Sequence, residues 1–265
     1  MAEESSRAEV LAASGPGSWS LERYLGQLKD FLLPEGQFDA EGSWEHRYNV
    51  YPIYTKWSVW SEKHEGECVI KRKELPGGGD FELEVSSEVT FIDFGYGNHP
   101  TKSQLTTAKI RCANDVLGTP KSWELESAAL GEGKNRFSLS EVRERGVFER
   151  GKVVLGSAGV RRRRIKVVGD LTSNWSLFDA VQRMYKAKET PNREFSMLED
   201  LRLLRVGQRL VYDGPAEFDL GGKRVRLYGY HQIGEGILPI HYWVDETGRL
   251  LFALGGVRIY LWQSE

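Results

Sequence analysis

The sequence predicts a mainly β protein: curled antiparallel sheets, half-barrel or β-sandwich-like, with a few packed helices. Three observations predict it. Apolar and polar residues alternate with a period of two over much of the span from Gly42 to about Val168 and again from Arg209 to Trp262, so that each strand offers one face to a core and one to water. Glycine clusters punctuate these runs, as turns that need positive φ require. Apolar spacings of three and four, the mark of a helix, are sustained in few places.

The elements follow in order. Residues 1–17 are small and polar and end in Ser14-Gly15-Pro16-Gly17, the composition of a mobile terminus. Leu21, Tyr24, Leu25, Leu28, Phe31 and Leu32 then form a helical stripe, capped by Ser18 or Ser20 and stopped by Pro34 and Gly36. Strands are predicted at Tyr48–Tyr51, Thr55–Trp60, Phe81–Val85 and Trp123–Glu126, with turns at 77–79, 95–98 and 131–133. A second helix is expected over Trp175–Lys186, with Leu177, Phe178, Val181, Met184 and Tyr185 as its stripe and Thr172, Ser173 or Asn174 as its cap. A short helix is expected at 197–204, because Ser196 and Glu199 fit a capping box. The rest reads as a meander that turns at Asp213-Gly214-Pro215, Gly221-Gly222, the Gly-rich loop 234–239, residues 245–248 and Gly255-Gly256.

Ser18-Trp19-Ser20-Leu21 and Asn174-Trp175-Ser176-Leu177 open the two long helices alike, and Pro then Phe follows each. The parallel points to a duplicated helix-then-meander unit; the alternative is coincidence. The expected organisation is residues 1–17 as a mobile segment, 18–170 as a helix with a long antiparallel β region, and 171–265 as helices with a β-meander. The last two pack as one compact body.

The chain has 265 residues, 40% hydrophobic and 28% charged, which suits a folded core. With 36 Lys and Arg against 38 Asp and Glu the net charge is −2, so no general attraction to nucleic acid is expected. No apolar run approaches the roughly 18 residues of a transmembrane helix. The start Met1-Ala2-Glu3-Glu4-Ser5-Ser6 reads either as a mature secreted terminus whose leader has been removed, or as the polar tail of a cytosolic protein. A secreted or periplasmic bacterial location is the expectation. Cys68 and Cys112 lie in strand-like runs; they form either one disulfide or two separate buried thiols.

The tail Leu238-Pro239-Ile240-His241-Tyr242-Trp243-Val244-Asp245-Glu246-Thr247-Gly248-Arg249-Leu250-Leu251 resembles the closing hairpin of secreted bacterial β proteins of unknown function, of the lipoprotein-carrier type of half-barrel. The likeness covers about the last 60 residues and implies an antiparallel sheet curled around helices. It transfers no catalytic residue.

The densest candidate site is 228–242, where Tyr230, His231, Glu235 and His241 gather around a Gly-rich turn. Such groups can exchange protons with a substrate, as in a polysaccharide lyase or hydrolase; the alternative is a plain hairpin loop. A metal held by His231, Glu235 and His241 is set aside, since Gly234, Gly236 and Pro239 argue against the helix their spacing needs. Asp93, Asp115, Glu124 and Glu126 carry a carboxylate-pair reading, against which Glu124 and Glu126 share one strand face as solvated residues do. Arg161–Arg164 is too thin for phosphate tracking and suits a charged edge strand. The leading expectation is therefore a non-catalytic, extracytoplasmic protein that holds a lipid-like or carbohydrate ligand on an aromatic concave face. Trp57, Trp60, Tyr96, His99, Trp123, Tyr242 and Trp243 are its candidate contacts, and no cofactor is expected. The alternatives are a carbohydrate-active enzyme and a structural or assembly partner.

Overall fold

Burial follows the alternation of the sequence. In the stretch Asp80–Thr90, Phe81, Leu83, Val85, Ser87 and Val89 are buried while the residues between them are more open, as a strand with one covered face requires. A computed structural model describes residues 31–52, 66–90, 103–136, 140–157, 162–255 and 258–263. Within them lie β1 (Trp44–Pro52), β2 (Gly66–Glu74), β3 (Asp80–Thr90), β4 (Ser103–Ala113), β5 (Pro120–Leu130), β6 (Val142–Glu149), β7 (Lys152–Ser157), β8 (Arg163–Lys166) and β9 (Asp170–Ser173). The helix α1 (Asn174–Lys186) follows, then β10 (Asn192–Glu199), β11 (Leu203–Leu220), β12 (Lys223–Gly234), β13 (Ile240–Val244), β14 (Leu250–Gly255) and β15 (Arg258–Trp262).

The described strands join one sheet in the order β8-β7-β6-β5-β4-β3-β2-β1-β15-β14-β13-β12-β11-β10-β9. Each half is an ordered meander, and β1 pairs with β15 to join them. Only the β9–β10 pair is parallel, with α1 as its crossover. The two end strands, β8 and β9, are separated in the chain by Val167, Val168 and Gly169 alone. A sheet whose ends are so tethered must curl through almost a full turn. The ends do not pair, so the barrel stays open. Instead, β9 tucks against the β4–β5 connection, where Thr119 donates to Leu171 O at 2.9 Å and Thr172 to Leu117 O at 2.7 Å. The predicted mainly β, curled antiparallel class is the observed one. Its proposed duplication rests on a first helix that lies mostly outside the described residues.

The curl closes on α1. Ser173 caps the helix by accepting from the Ser176 N–H at 3.0 Å, one of the three caps the sequence offered. The sequence suggests one apolar stripe, yet every residue from Trp175 to Met184 is buried. Its polar side chains are buried with partners: Gln182 accepts from Leu250 N at 3.0 Å, and Asp179 stands between Arg72 at 3.0 Å and Arg183 at 2.7 Å. The concave face here is filled by protein. A second apolar cluster of Phe218, Leu227, Trp243, Phe252 and Leu261 sits on the other side of the sheet.

Three expectations are corrected. Residues 197–204 are not helical: Phe195, Ser196, Met197 and Leu198 are consecutively buried in β10, and the Ser196 hydroxyl donates to Val168 O instead of capping. Asp213-Gly214-Pro215 does not end a strand but forms a bulge inside β11, between Tyr212↔Tyr230 and Gly214↔Gly229. Cys68 and Cys112 are free and buried. They flank β3 from opposite sides, Cys68 opposite Ser87 and Cys112 opposite Phe81, which sets them roughly 20 Å apart along the strand, beyond reach of a disulfide. Burial pushes the Cys68 thiol up to about 12, so both behave as small apolar residues. Arg163 and Arg164 lie in β8, an end strand of the described sheet, as the edge-strand reading expects, and Arg161 lies outside the described residues.

Near the β1–β15 seam, His46 is 2% exposed, stacked on Trp44 at 4.2 Å and edge-on to Trp262 at 4.6 Å. Burial, aided by the positive field of Arg249, holds its imidazole well below the ordinary histidine value. An unfolded chain takes up a proton here below about pH 6.5, and the folded chain refuses it. Stability is therefore expected to fall as pH drops through that value, by up to about 1.4 kcal/mol per pH unit. His241, also held low by burial, adds in the same direction. Urea unfolding of the wild type and of His46→Phe between about pH 7.5 and 5.5 checks this: the variant should show the shallower fall, and equal slopes would refute the assignment.

Candidate functional site

Where the end of α1 meets the hairpins β11–β12 and β13–β14, four tyrosines line a cavity of about 480 Å³. Strand alternation puts Tyr228 and Tyr230 on the inner face of β12. Tyr212 joins them because it is the direct cross-strand partner of Tyr230. Tyr185 comes from the last turn of α1. The rings form two pairs, Tyr185–Tyr228 with centroids 4.6 Å apart and Tyr212–Tyr230 with centroids 5.2 Å apart. Lys188, Glu189, Thr190 and Thr247 supply polar groups to the same wall.

The wall is held by the β13–β14 turn. Asp245 Oδ1 accepts from Thr247 N at 2.8 Å, from the Thr247 hydroxyl at 2.6 Å and from Arg249 N at 2.9 Å. The turn then accepts from the Tyr185 hydroxyl at Glu246 O, 3.3 Å away. Gly248 is needed there: its φ is +87°, and a Cβ would stand 3.0 Å from the Tyr185 ring. The Tyr230 hydroxyl is buried without a hydrogen-bond partner among the described residues. Burial raises the phenols of Tyr185 and Tyr230 above their ordinary value, and the contact with Tyr228 raises Tyr185 further. Both remain neutral hydroxyls near pH 7, suited to hydrogen bonding and stacking rather than to proton abstraction.

The four residues expected to act together are not brought together. Tyr230 faces the cavity, whereas His231 and His241 face one another across β12 and β13 on the opposite side of the sheet. There the β11 bulge presents Asp213, whose Oδ1 lies 2.5 Å from His231 Nδ1 and whose Oδ2 lies 4.0 Å from His241 Nδ1. Glu235 sits in the exposed β12–β13 loop, where among the described residues only its carbonyl is engaged, by Gln208 at 3.1 Å. Asp213 is the residue that sequence reasoning missed, since Asp-Gly-Pro reads as a turn. Among the described residues no group of His, Cys, Asp and Glu could hold a metal ion.

The aromatic contact set is also divided. Trp57, Trp60, Tyr96 and His99 lie outside the described residues, as does Asp93. Trp123, Tyr242 and Trp243 are 2%, 1% and 2% exposed and are packing residues: Trp123 donates to Leu201 O, Tyr242 to Gln232, and Trp243 packs on Phe218. Asp115 caps its own loop through Thr119 N, while Glu124 and Glu126 pair outward with Arg145 and Arg143. No described helix is long and apolar enough to cross a membrane.

No family model and no curated protein matches the chain. Among solved structures it is similar to a β-barrel-like protein of a domain of unknown function from Brucella abortus, at 13% identity and a TM-score of 0.49, over 83% of this chain and 95% of that one.

Proposed function

We propose that the protein binds a small carbohydrate in the tyrosine-lined cavity, without chemistry. The observation that carries this reading is the convergence of four tyrosines on one cavity of about 480 Å³, where Tyr185, Tyr212 and Tyr228 are half-buried and Tyr230 is fully buried behind them. A volume in the range of roughly 300–1,000 Å³ is usual for small-molecule sites. Tyrosine rings give apolar faces for the C–H faces of a sugar, and their hydroxyls, with Lys188 and Glu189, suit its hydroxyl groups. A long lipid chain is a poorer occupant, because α1 fills the concave face that such a chain would need. An enzymatic reading is less favoured because burial keeps Tyr185 and Tyr230 neutral and the histidines lie behind the sheet.

Titration calorimetry with a panel of mono- and disaccharides tests the proposal. Tyr228→Ala removes a ring from the wall and is expected to abolish measurable binding. Tyr212→Phe keeps a half-buried ring of the wall and removes its hydroxyl, for a loss of about 0.5–1.5 kcal/mol. A sugar that binds equally well to Tyr228→Ala, or a panel with no binder, defeats the reading.

A further inference from the structure

A second, larger cavity of about 860 Å³ lies between the segment 31–39, β1, the β11–β12 turn and Arg249. Its interior is aromatic: Phe38, Trp44, His46 and Trp262 all line it. It neighbours the tyrosine cleft but is distinct from it; Lys186 on the wall of one pairs at 2.5 Å with Asp39 on the wall of the other.

Arg249 is the unusual group. It is 7% exposed, and its guanidinium lies over the rings of both Phe38 and Trp262, 5.3 Å and 5.5 Å from their centroids. It forms no ion pair among the described residues. The one hydrogen bond its guanidinium makes among them is a long one, to Glu35 O at 3.5 Å. Arginine offers five N–H donors, and a buried cation without a counter-charge is costly. Two of the carboxylates on the cavity wall are committed elsewhere, Asp39 to Lys186 and Glu45 to Lys71 and Arg47. Glu35 is exposed and offers Arg249 its carbonyl. Lys223 adds a second cation at the rim, and His46 is held low first by burial and then by the positive charge of Arg249.

We infer that this cavity is a binding site for an organic anion with a flat, apolar body, its carboxylate or phosphate on Arg249 and its rings among Phe38, Trp44 and Trp262. A guanidinium set over two rings keeps N–H donors at its edge, and two of them can bind a carboxylate or a phosphate through a pair of its oxygens. The aromatic walls stack on a ring system in the usual offset or edge-on ways. The site is independent of the carbohydrate reading, since none of its anion contacts lines the tyrosine cleft.

The test is calorimetry on the full chain with 2-naphthoate, 2-naphthyl phosphate and the neutral 2-naphthamide. Both anions, or one of them, should bind at least about tenfold more tightly than the amide, the scale of a charge-assisted hydrogen bond. The tighter anion identifies the head group as carboxylate or phosphate. Arg249→Gln should remove that preference and leave naphthamide binding unchanged. Because Arg249 is buried and its variant can misfold, Lys223→Gln at the exposed rim is the second variant, expected to weaken the anions by a few-fold while the far-UV spectrum stays that of the wild type. Equal binding of anion and amide, no binding of any probe, or a folded Arg249→Gln protein that keeps the preference would each overturn the inference.

Discussion

Replacing Asp179 by alanine is expected to cost about 3–5 kcal/mol of stability, because it leaves two buried guanidiniums without their carboxylate. Asp179 is 0% exposed, Arg72 2% and Arg183 8%. The carboxylate does more than pair charges. Through Arg72 it reaches β2 and the carbonyls of Glu41 and Gly42, and through Arg183 the carbonyl of Asp115 at 2.7 Å. Both guanidiniums also lie over the Phe81 ring, at 4.4 Å and 5.3 Å. The helix is thereby tied to the strand wall on one side, while Gln182 ties it to β14 on the other. Burial pushes the Asp179 carboxyl up, against the pull of both arginines. At about 2–4 °C per kcal/mol for a chain of this size, the midpoint should fall by on the order of 10 °C. Replacing all three charges with apolar residues (Arg72→Met, Asp179→Leu, Arg183→Met) should cost much less than Asp179→Ala alone, since no charge is then left buried. Urea unfolding of the two proteins decides. If the triple variant loses as much as the single one, the charges are not the source of the cost.

The residues of this triad show how far the sequence could be read. Period-two alternation marked the strand core around Phe81–Val85 and Trp123–Glu126, and the Ser173 position was legible as a cap, because both signals are local. The full encasement of α1 was not. Ser176, Asp179, Gln182 and Arg183 look like a solvent face along the helix, and only partners distant in the chain turn them inward. The misread helix at 197–204 has the same origin. Ser196 and Glu199 carry capping chemistry, but a strand buried on successive residues outweighed it.

The candidate site was partly legible for a related reason. Alternation sets Tyr230 and His231 on opposite faces, and the structure keeps them apart. Tyr212 and Tyr185, which complete the cavity, arrive from a neighbouring strand and from the helix, so no spacing within 228–242 could announce them. Asp213 was hidden because Asp-Gly-Pro has the composition of a turn, whereas a bulge in one long strand uses the same residues to aim a carboxylate at a histidine. Residue type alone makes Trp123 look like a ligand contact. Its register partner supplies what type could not.

That partner is Gly146, and it makes Trp123 the site of the second large expected effect. The indole sits against Gly146 so closely that a Cβ there would stand 2.1 Å from the ring. Its Nε1 donates to Leu201 O at 3.1 Å. Leu201 belongs to the β10–β11 turn, at the inward end of the curled sheet, and the next residue, Arg202, pairs with Glu144 of β6 at 2.5 Å. The indole and this ion pair clamp the tucked end of the sheet onto β5 and β6, across a gap that no strand ladder among the described residues closes. Trp123→Ala is therefore expected to cost about 3–5 kcal/mol, from the lost burial and the void it leaves. Trp123→Phe fills most of the void but strands the Leu201 carbonyl, for about 1–3 kcal/mol. Gly146→Ala should destabilise as well, by forcing the ring off its seat, although it removes no atom. Arg202→Ala, which removes the half-exposed member of the ion pair, should cost less than either tryptophan change. Urea unfolding of the four variants gives the ranking. A Trp123→Ala protein within about 1 kcal/mol of wild type would show that the helix, and not this clamp, holds the sheet in its curl.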